Sequence, residues 1–216
     1  FSGPPNDFLL KSTDMGIGFQ DLIAINDRLH LLLGLRYDES KLDFDLAPFP
    51  FADRLSLDNW SYRAGVIYKA TDSLSVFANY GSAFKPSLRI NEFGATLFDL
   101  QQSVQYEAGF KIDLYDGRLT LNSALYHLTN QDVVIADSLG KPVRANQESV
   151  GAELDLSARL TERTKLLFNL SVIETEYTNG AFKGNELYGT PGQSGGLWLN
   201  HDLVQETDQR LSLSLG

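Results

Sequence analysis

The feature that most constrains this chain is a two-residue alternation of apolar and polar side chains, repeated in segments about ten residues long. In the segment 103–113 the apolar positions are Val104, Tyr106, Ala108, Phe110 and Ile112. A β-strand points successive side chains to opposite faces, so each segment has one apolar and one polar face. No segment shows a helical period, and no apolar run approaches the ~20 residues of a membrane helix. The pattern therefore predicts an all-β chain.

The alternation predicts strands at about 16–26, 29–38, 59–69, 74–83, 103–113, 118–129, 147–158, 164–177, 192–203 and 210–216. Short connections, such as 26–28 and 70–73, alternate with long ones, such as 39–58 and 178–191. Tight turns at one end and long loops at the other are typical of an outer-membrane barrel, whose tilted strands need ~9–11 residues to cross the bilayer. We therefore expect a transmembrane antiparallel up-and-down β-barrel, in which every strand pairs with its sequence neighbours.

Aromatic residues fall near the strand ends expected at the two membrane surfaces, where amphipathic rings are favourable. At the long-loop end they are Tyr37, Trp60, Tyr62, Tyr80, Tyr106 and Tyr177, and at the other end Tyr68 and Tyr115. A soluble β-sandwich with core aromatics is the alternative, but it leaves the alternation of connection lengths unexplained.

Strand parity also assigns the two faces. The residues expected to face lipid are Leu29, Leu31, Leu33, Val104, Phe110, Leu119, Leu121, Leu154 and Leu156. Those expected to face the lumen are Arg63, Glu107, Lys111, Glu153 and Asp155. Asp21 falls on an apolar face, which predicts either a bulge or an exchange of faces in the first strand.

Composition excludes several functions. A net charge of −10 argues against a nucleic-acid partner, and the absence of cysteine excludes thiolate metal sites and a cysteine nucleophile. His30, His127 and His201 stand on separate strands, so we expect no metal site. Ser194 has the glycine spacing of a nucleophile elbow but precedes strand sequence instead of a helix, so we expect no catalytic residue.

Several short motifs together resemble the TonB-dependent receptors. They are Tyr80-Gly81-Ser82-Ala83-Phe84-Lys85-Pro86, Tyr106-Glu107-Ala108-Gly109-Phe110-Lys111, Asp116-Gly117-Arg118-Leu119, Ser149-Val150-Gly151-Ala152-Glu153 and Thr190-Pro191-Gly192-Gln193-Ser194. Within this family the chain looks closest to the ferric-siderophore receptors. The resemblance implies that residues 1–216 are part of a barrel of ~22 strands, roughly the tenth to the nineteenth, without the plug and the C-terminal strands.

The resemblance further implies a receptor and transporter in the Gram-negative outer membrane, which takes up a ferric siderophore and is not an enzyme. Its partners would be the iron chelate, membrane lipid and, through a missing N-terminal part, the TonB complex; no cofactor is implied. A receptor for haem, cobalamin or a glycan, or a passive porin-like barrel, stays open as an alternative.

Ligand-binding candidates are cations and aromatic residues at the expected external mouth. They are Arg36, Arg63, Phe84, Lys85, Arg89 and Tyr188. The cations could attract an anionic ferric siderophore, and the exposed aromatic residues could form a binding surface or pack the loops on one another. The same cations could instead pair with Asp38, Glu92 or Glu107, which is the interpretation that we favour.

Overall fold

The protein is described by a computed structural model, which covers residues 7–47, 52–90, 96–137, 139–140, 142–205 and 210–216. These residues form one sheet of ten strands. The strands are β1 Asp7–Ala24, β2 Leu29–Ala47, β3 Ala52–Lys69, β4 Leu74–Ile90, β5 Thr96–Leu114, β6 Leu119–Ala136, β7 Pro142–Arg159, β8 Thr164–Tyr177, β9 Gln193–Gln205 and β10 Arg210–Leu215.

The strand order in the sheet is the order in sequence, and all nine neighbouring pairs are antiparallel. The predicted up-and-down meander is therefore confirmed. In the described residues β1 and β10 are the two edges of the sheet and do not pair with each other. The same residues contain no helix with the length and apolarity to span a bilayer.

The short connections all lie at one end of the sheet, as expected. They comprise residues 25–28, 70–73, 115–118 and 160–163, whereas 206–209 lie outside the described residues. Asn26 Oδ1 accepts hydrogen bonds from the backbone N–H groups of Arg28 and Leu29, both at 2.9 Å. Thr71 Oγ1 likewise accepts one from the N–H of Leu74 at 3.0 Å. These short polar side chains close the turns by satisfying backbone donors locally.

The opposite ends depart from the prediction, because most of the expected loop residues continue the strands. Pairing between β2 and β3 runs without interruption from Leu29–Tyr68 to Asp45–Ala52, although a loop was expected at 39–58. Outside a bilayer both faces of a hairpin meet water, so backbone pairing persists after the hydrophobic alternation has ended. The 178–192 connection remains a long loop, as predicted.

Register confirms the predicted faces. Leu121 pairs with Leu156 on one face, and the next residues, Asn122 and Asp155, pair on the other. We call the first the apolar face and the second the polar face. The single sheet encloses little core: the buried hydrophobic residues among those described are Leu42, Val134, Ala145 and Ala158.

Asp21 stays on the apolar face, opposite Leu33. The pairing of β1 with β2 is continuous from Asp7–Ala47 to Ala24–His30, so neither the bulge nor the exchange of faces expected there occurs.

Four of the six aromatic residues expected near the outer surface form pairs across neighbouring strands. The ring centroids of Tyr37 and Trp60 lie 5.0 Å apart, and those of Tyr80 and Tyr106 lie 5.3 Å apart. Tyr177 does not join them, because its register places it on the polar face with Thr175, and its ring contacts Phe182 at 5.8 Å. The outer aromatic band thus forms on the apolar face without Tyr177.

Candidate ligand-binding site on the polar face

The site begins where β3 and β4 separate. These strands pair only from Arg63–Gly81 to Lys69–Ser75, although within the described residues both continue outward for several residues. The backbone N–H of Tyr62 is bonded instead to Ser82 Oγ, at 2.8 Å. We call this gap the seam. It leaves adjoining cavities of about 350 and 410 Å³ beside Arg36 and Arg63.

Arg36 is neutralised within its own strand. Its Nε lies 2.7 Å from Asp38 Oδ2 and its Nη2 lies 2.6 Å from Asp38 Oδ1, a bidentate ion pair. Residues two apart on a strand share a face, so the pair follows directly from the local sequence. The favoured interpretation, pairing with Asp38, is confirmed for Arg36.

Arg63 has a different environment. Its Nη1 donates one hydrogen bond, of 3.2 Å, to Gln20 Oε1 on β1, and no carboxylate pairs with it among the described residues. Glu107, the partner considered for it, accepts a hydrogen bond of 3.1 Å from Gln105 Nε2 instead. The expected pairing of Arg63 with Glu107 is therefore wrong. Glu92, another carboxylate considered as a partner, lies outside the described residues. Of these two arginines, Arg63 presents the less compensated charge.

Asp14 lies at the outer end of the larger of the two cavities at the seam. The pKa of its carboxyl is held below its ordinary value, chiefly by a hydrogen bond from the Ser40 hydroxyl and also by one from Ser12, whose Oγ lies 2.9 Å from Asp14 Oδ2. Hydroxyl donors stabilise the charged form of a carboxylate. The Asp14 carboxylate therefore keeps a negative charge at the outer end of this cavity into mildly acidic conditions.

The six predicted residues divide into groups. Arg36, Arg63 and Phe84 border one cavity at the seam, and Lys85 follows Phe84 on β4 with an exposed side chain. Arg89 is part of β4, but its side chain lies outside the described part. Tyr188 is fully exposed on the 178–192 connection, between β8 and β9, and does not border this cavity.

Residues that the sequence did not single out as binding candidates also line the cavities here, among them Gln20 beside Arg36 and Arg63, and Asn79 and Gly81 in a neighbouring cavity that Arg63 also borders. Gln20 reaches Arg63 across two strand pairings and 43 positions of sequence. Polar-face parity alone could have suggested them, but only the register brings them to one place.

The other chemical motifs remain separate. Ser194 lies within β9, where it pairs with Ser171, and not at a strand-to-helix turn. His127 Nε2 lies 3.1 Å from Glu148 Oε1, and His201 Nδ1 lies 3.0 Å from Thr164 Oγ1. Across the ranges that the structure describes, no group of three or more His, Cys, Asp or Glu side chains is arranged to hold a metal ion.

Comparison with known proteins gives a consistent set of similarities. The family model described as "TonB dependent receptor-like, beta-barrel" matches residues 3–214. The metal-pseudopaline receptor CntO of Pseudomonas aeruginosa strain UCBPP-PA14 is 32% identical over 194 residues, which cover 85% of this chain and 27% of that protein. The ferrichrome outer membrane transporter and phage receptor of Escherichia coli K12 is 24% identical over 216 residues, covering 98% of this chain and 29% of that protein.

Solved structures show the same fold. The ferric-catecholate import receptor Fiu of E. coli K12 superimposes with a TM-score of 0.78 at 18% identity, over 91% of this chain and 33% of that one. BauA, the ferric preacinetobactin receptor of Acinetobacter baumannii, gives a TM-score of 0.77 at 21% identity, over 98% and 33% of the two chains. The chain thus spans a third or less of the length of each of these four proteins.

Proposed function

Because this chain belongs to the TonB-dependent receptor family, matching its β-barrel over residues 3–214, we propose that the complete protein takes up a ferric siderophore, with energy supplied through TonB. The chain is part of an outer-membrane barrel wall, whose apolar face meets lipid and whose polar face lines the lumen. The observation that carries the proposal is the function of its relatives: a ferrichrome transporter, a ferric-pyoverdine 358 receptor and a ferrioxamine B receptor.

Members of this family are receptors and transporters. We propose that the same holds here, so that the protein moves its ligand without making or breaking covalent bonds and needs no resident cofactor. The chelate would bind at the external mouth, and TonB would act through a part of the protein outside residues 1–216.

In this proposal the polar face attracts an anionic chelate at the seam. Arg63 is the main candidate, because its charge is the less compensated of the two arginines there. Lys85 and Arg89 would add positive charge toward the outside, and Arg36 would contribute less because Asp38 already neutralises it. Phe84 borders the seam cavity but has the strand parity of Tyr80 on the apolar face, so it would give apolar contact only through the gap between the strands. Tyr188, fully exposed elsewhere on the outer end, would contact only a ligand that extends across the mouth.

A growth experiment tests this function. The complete gene is deleted, and cells are grown in iron-depleted medium with one ferric hydroxamate, catecholate or hydroxycarboxylate siderophore at a time. We expect growth on at least one of these to be lost, to return with the gene, and to be lost again when TonB is removed. Loss of haem, cobalamin or glycan use alone would favour those alternatives, and uptake that continues without TonB would favour a passive porin.

A second candidate is a receptor for the chelate of another transition metal. It is favoured by the relative named as a metal-pseudopaline receptor, at 32% identity. Accumulation of radioactive nickel, cobalt or zinc in the same deletion strain distinguishes the two. Loss of one of these metals with normal iron uptake would support the second candidate.

A further inference from the structure

One carboxylate of this wall lies on the apolar face, which meets lipid. Asp21 is opposite Leu33 of β2, and its neighbours on the same face of β1 are Phe19 and Ile23. Because β1 and β2 pair without interruption, no irregularity turns the carboxylate to the other face. Asp21 is exposed, and its side chain makes no hydrogen bond or ion pair with the other described residues.

The position of Asp21 along β1 is near the middle of the membrane. Ile17, four residues outward, pairs with Tyr37 of the outer aromatic band, and Ile25, four residues inward, begins the 25–28 turn. At about 3.4 Å per residue, Asp21 is about 14 Å along the strand from each of these two levels. A charge that faces lipid at this depth is unfavourable unless it has a partner.

The partner does not come from β2, the described strand beside β1. The lipid-facing residues of β2 nearest to Asp21 are Leu31, Leu33 and Leu35, and none of them has a polar side chain. The other edge of β1 is unpaired in the described residues, and a closed barrel requires a strand there. That strand, which we call the preceding strand, is the nearest source of a partner for Asp21.

The hydrogen bonds at the inner end of β1 show how Asp21 meets the preceding strand. The N–H of Ile25 donates to the carbonyl of Leu29 at 2.9 Å, so the backbone groups of Ile25 point to β2. By alternation those of Ile23 and Asp21 also point to β2, away from the preceding strand. Asp21 and the residue opposite it there form a non-hydrogen-bonded pair, in which the Cα atoms are about 4.5 Å apart and the side chains closest.

We infer that the residue opposite Asp21 on the preceding strand is a lysine or an arginine, and that the two form an ion pair on the lipid-facing surface. A shift of these two strands by an even number of residues keeps every side chain on its face but separates the two charges. The ion pair therefore fixes the register in which the rest of the barrel joins β1. This inference goes beyond the proposed function, because it concerns the wall and is independent of the ligand.

Disulfide formation in the complete receptor identifies the opposite residue. Asp21→Cys is combined with one cysteine at a time at the lipid-facing positions of the preceding strand, and residues 1–216 contain no cysteine that would compete. The position that crosslinks most readily to position 21 is the one opposite Asp21. We expect a lysine or an arginine at that position in the unmodified protein, and any other residue there would overturn the inference.

Charge variants of the complete receptor then test the ion pair. Asp21→Leu should lower the inserted fraction several-fold, because it leaves the cation unpaired in lipid, and replacement of that cation by leucine as well should restore insertion. Leu31→Asp is the matched control: it places a carboxylate on the same face of β2, between Ile23 and Val66, and should also lower insertion. Heat-modifiable gel mobility measures the inserted fraction of each variant.

Two results of these variants would overturn the inference. Full insertion of Asp21→Leu would mean that no cation depends on Asp21, and full insertion of Leu31→Asp would mean that this surface tolerates a carboxylate without a partner. Failure of the second leucine to restore insertion would likewise exclude the ion pair as the cause. Growth of cells on a ferric siderophore with the unmodified receptor tests the proposed function separately and bears on none of these results.

Discussion

Single residues in this wall are sorted between lipid and water by strand parity. Leu154 and Glu153 are adjacent on β7, and each pairs with a residue of its own kind of face: Leu154 with Leu170 and Glu153 with Ser171. A charge facing lipid near mid-depth costs ~2–4 kcal/mol, whereas a charge facing the lumen stays hydrated or paired. Neighbouring positions should therefore differ sharply in whether they tolerate a charged substitution.

Leu154→Arg should impair insertion of the complete receptor, and Glu153→Arg should leave insertion nearly unchanged. The measurement is the fraction of each variant with heat-modifiable gel mobility in outer-membrane preparations. Equal damage from both substitutions would contradict the assignment of faces.

On the polar face, glycine leaves room for a large side chain of the neighbouring strand. Gly151 pairs with Tyr126, and a Cβ at Gly151 would lie 2.5 Å from the Cζ atom of that ring. The tyrosine thus lies flat against the wall over the glycine. Gly151→Ala should destabilise the complete receptor by about 1–3 kcal/mol through overpacking, measured by urea unfolding in detergent micelles.

Two comparisons separate that steric effect from a general effect of the added methyl group. Gly81→Ala, where no atom is close to the place that a Cβ would occupy, should change stability little. Tyr126→Ala combined with Gly151→Ala should show a smaller effect of the alanine at 151 than Gly151→Ala alone. Additive effects of the two substitutions would exclude direct contact as the cause.

At these positions the face that each side chain occupies was predictable from the sequence, but its hydrogen-bond partner was not. The alternation alone gives the faces of Arg63, Glu107 and Glu153. Whether Arg63 bonds Gln20 or Glu107 depends on the relative register of several strands. A shift of that register by an even number of residues leaves the same side chains on each face, so the hydrophobic pattern does not determine it. Asp21 shows the converse: the pattern identified an unfavourable residue, but the register was maintained around it.

The strands consist of a membrane-crossing part and an outer extension that obey different constraints. In the membrane-crossing part, contact with lipid on one side requires apolar residues at every second position, and this alternation is visible in the sequence. The second has water on both sides and is held by backbone pairing and by exposed ion pairs, such as Arg54 Nε to Asp43 Oδ1 at 2.6 Å. Exposed pairs contribute little, typically below ~1 kcal/mol, so the extensions leave no strong sequence signal.

Shortening the β2–β3 hairpin tests this division. Replacing residues 41–56 with Asn-Gly joins Ser40 to Leu57, which already pair, through a two-residue turn. The barrel should still insert, because pairing from Leu29–Tyr68 outward to Tyr37–Trp60 is untouched. Heat-modifiable mobility gives the readout.

Deletion of Gly65 alone is the matched control for the shortened hairpin. It changes the length by one residue within the membrane-crossing part, and so moves every residue of β3 on one side of it to the opposite face. Insertion should fail. A shortened hairpin that fails to insert, or a Gly65 deletion that inserts normally, would contradict the division into two parts.

The whole sheet has two unpaired edges, at β1 and β10, in the described residues. Every unpaired backbone group costs several kcal/mol in lipid, so only closed barrels span membranes. A sheet with the curvature of ~22 strands cannot close with ten without changing tilt and shear. The protein therefore depends on further strands to complete its wall.

Expressed alone, residues 1–216 should aggregate or require detergent, and should lack the heat-modifiable mobility that the complete receptor shows. Electrophoresis of boiled and unboiled samples, with the complete receptor alongside, measures this. A conducting ten-stranded pore, with β1 hydrogen-bonded to β10, would contradict the expectation.

The seam has a consequence for how such a protein changes over generations. No backbone ladder joins the described residues 52–62 to 82–90, and at this gap the Tyr62 N–H bonds the Ser82 hydroxyl instead of a backbone carbonyl. Either hairpin can therefore be lengthened, shortened or exchanged by recombination without breaking the pairing of the other. Under the proposed function, selection for a new chelate can act on one side of the mouth while the opposite side keeps its sequence.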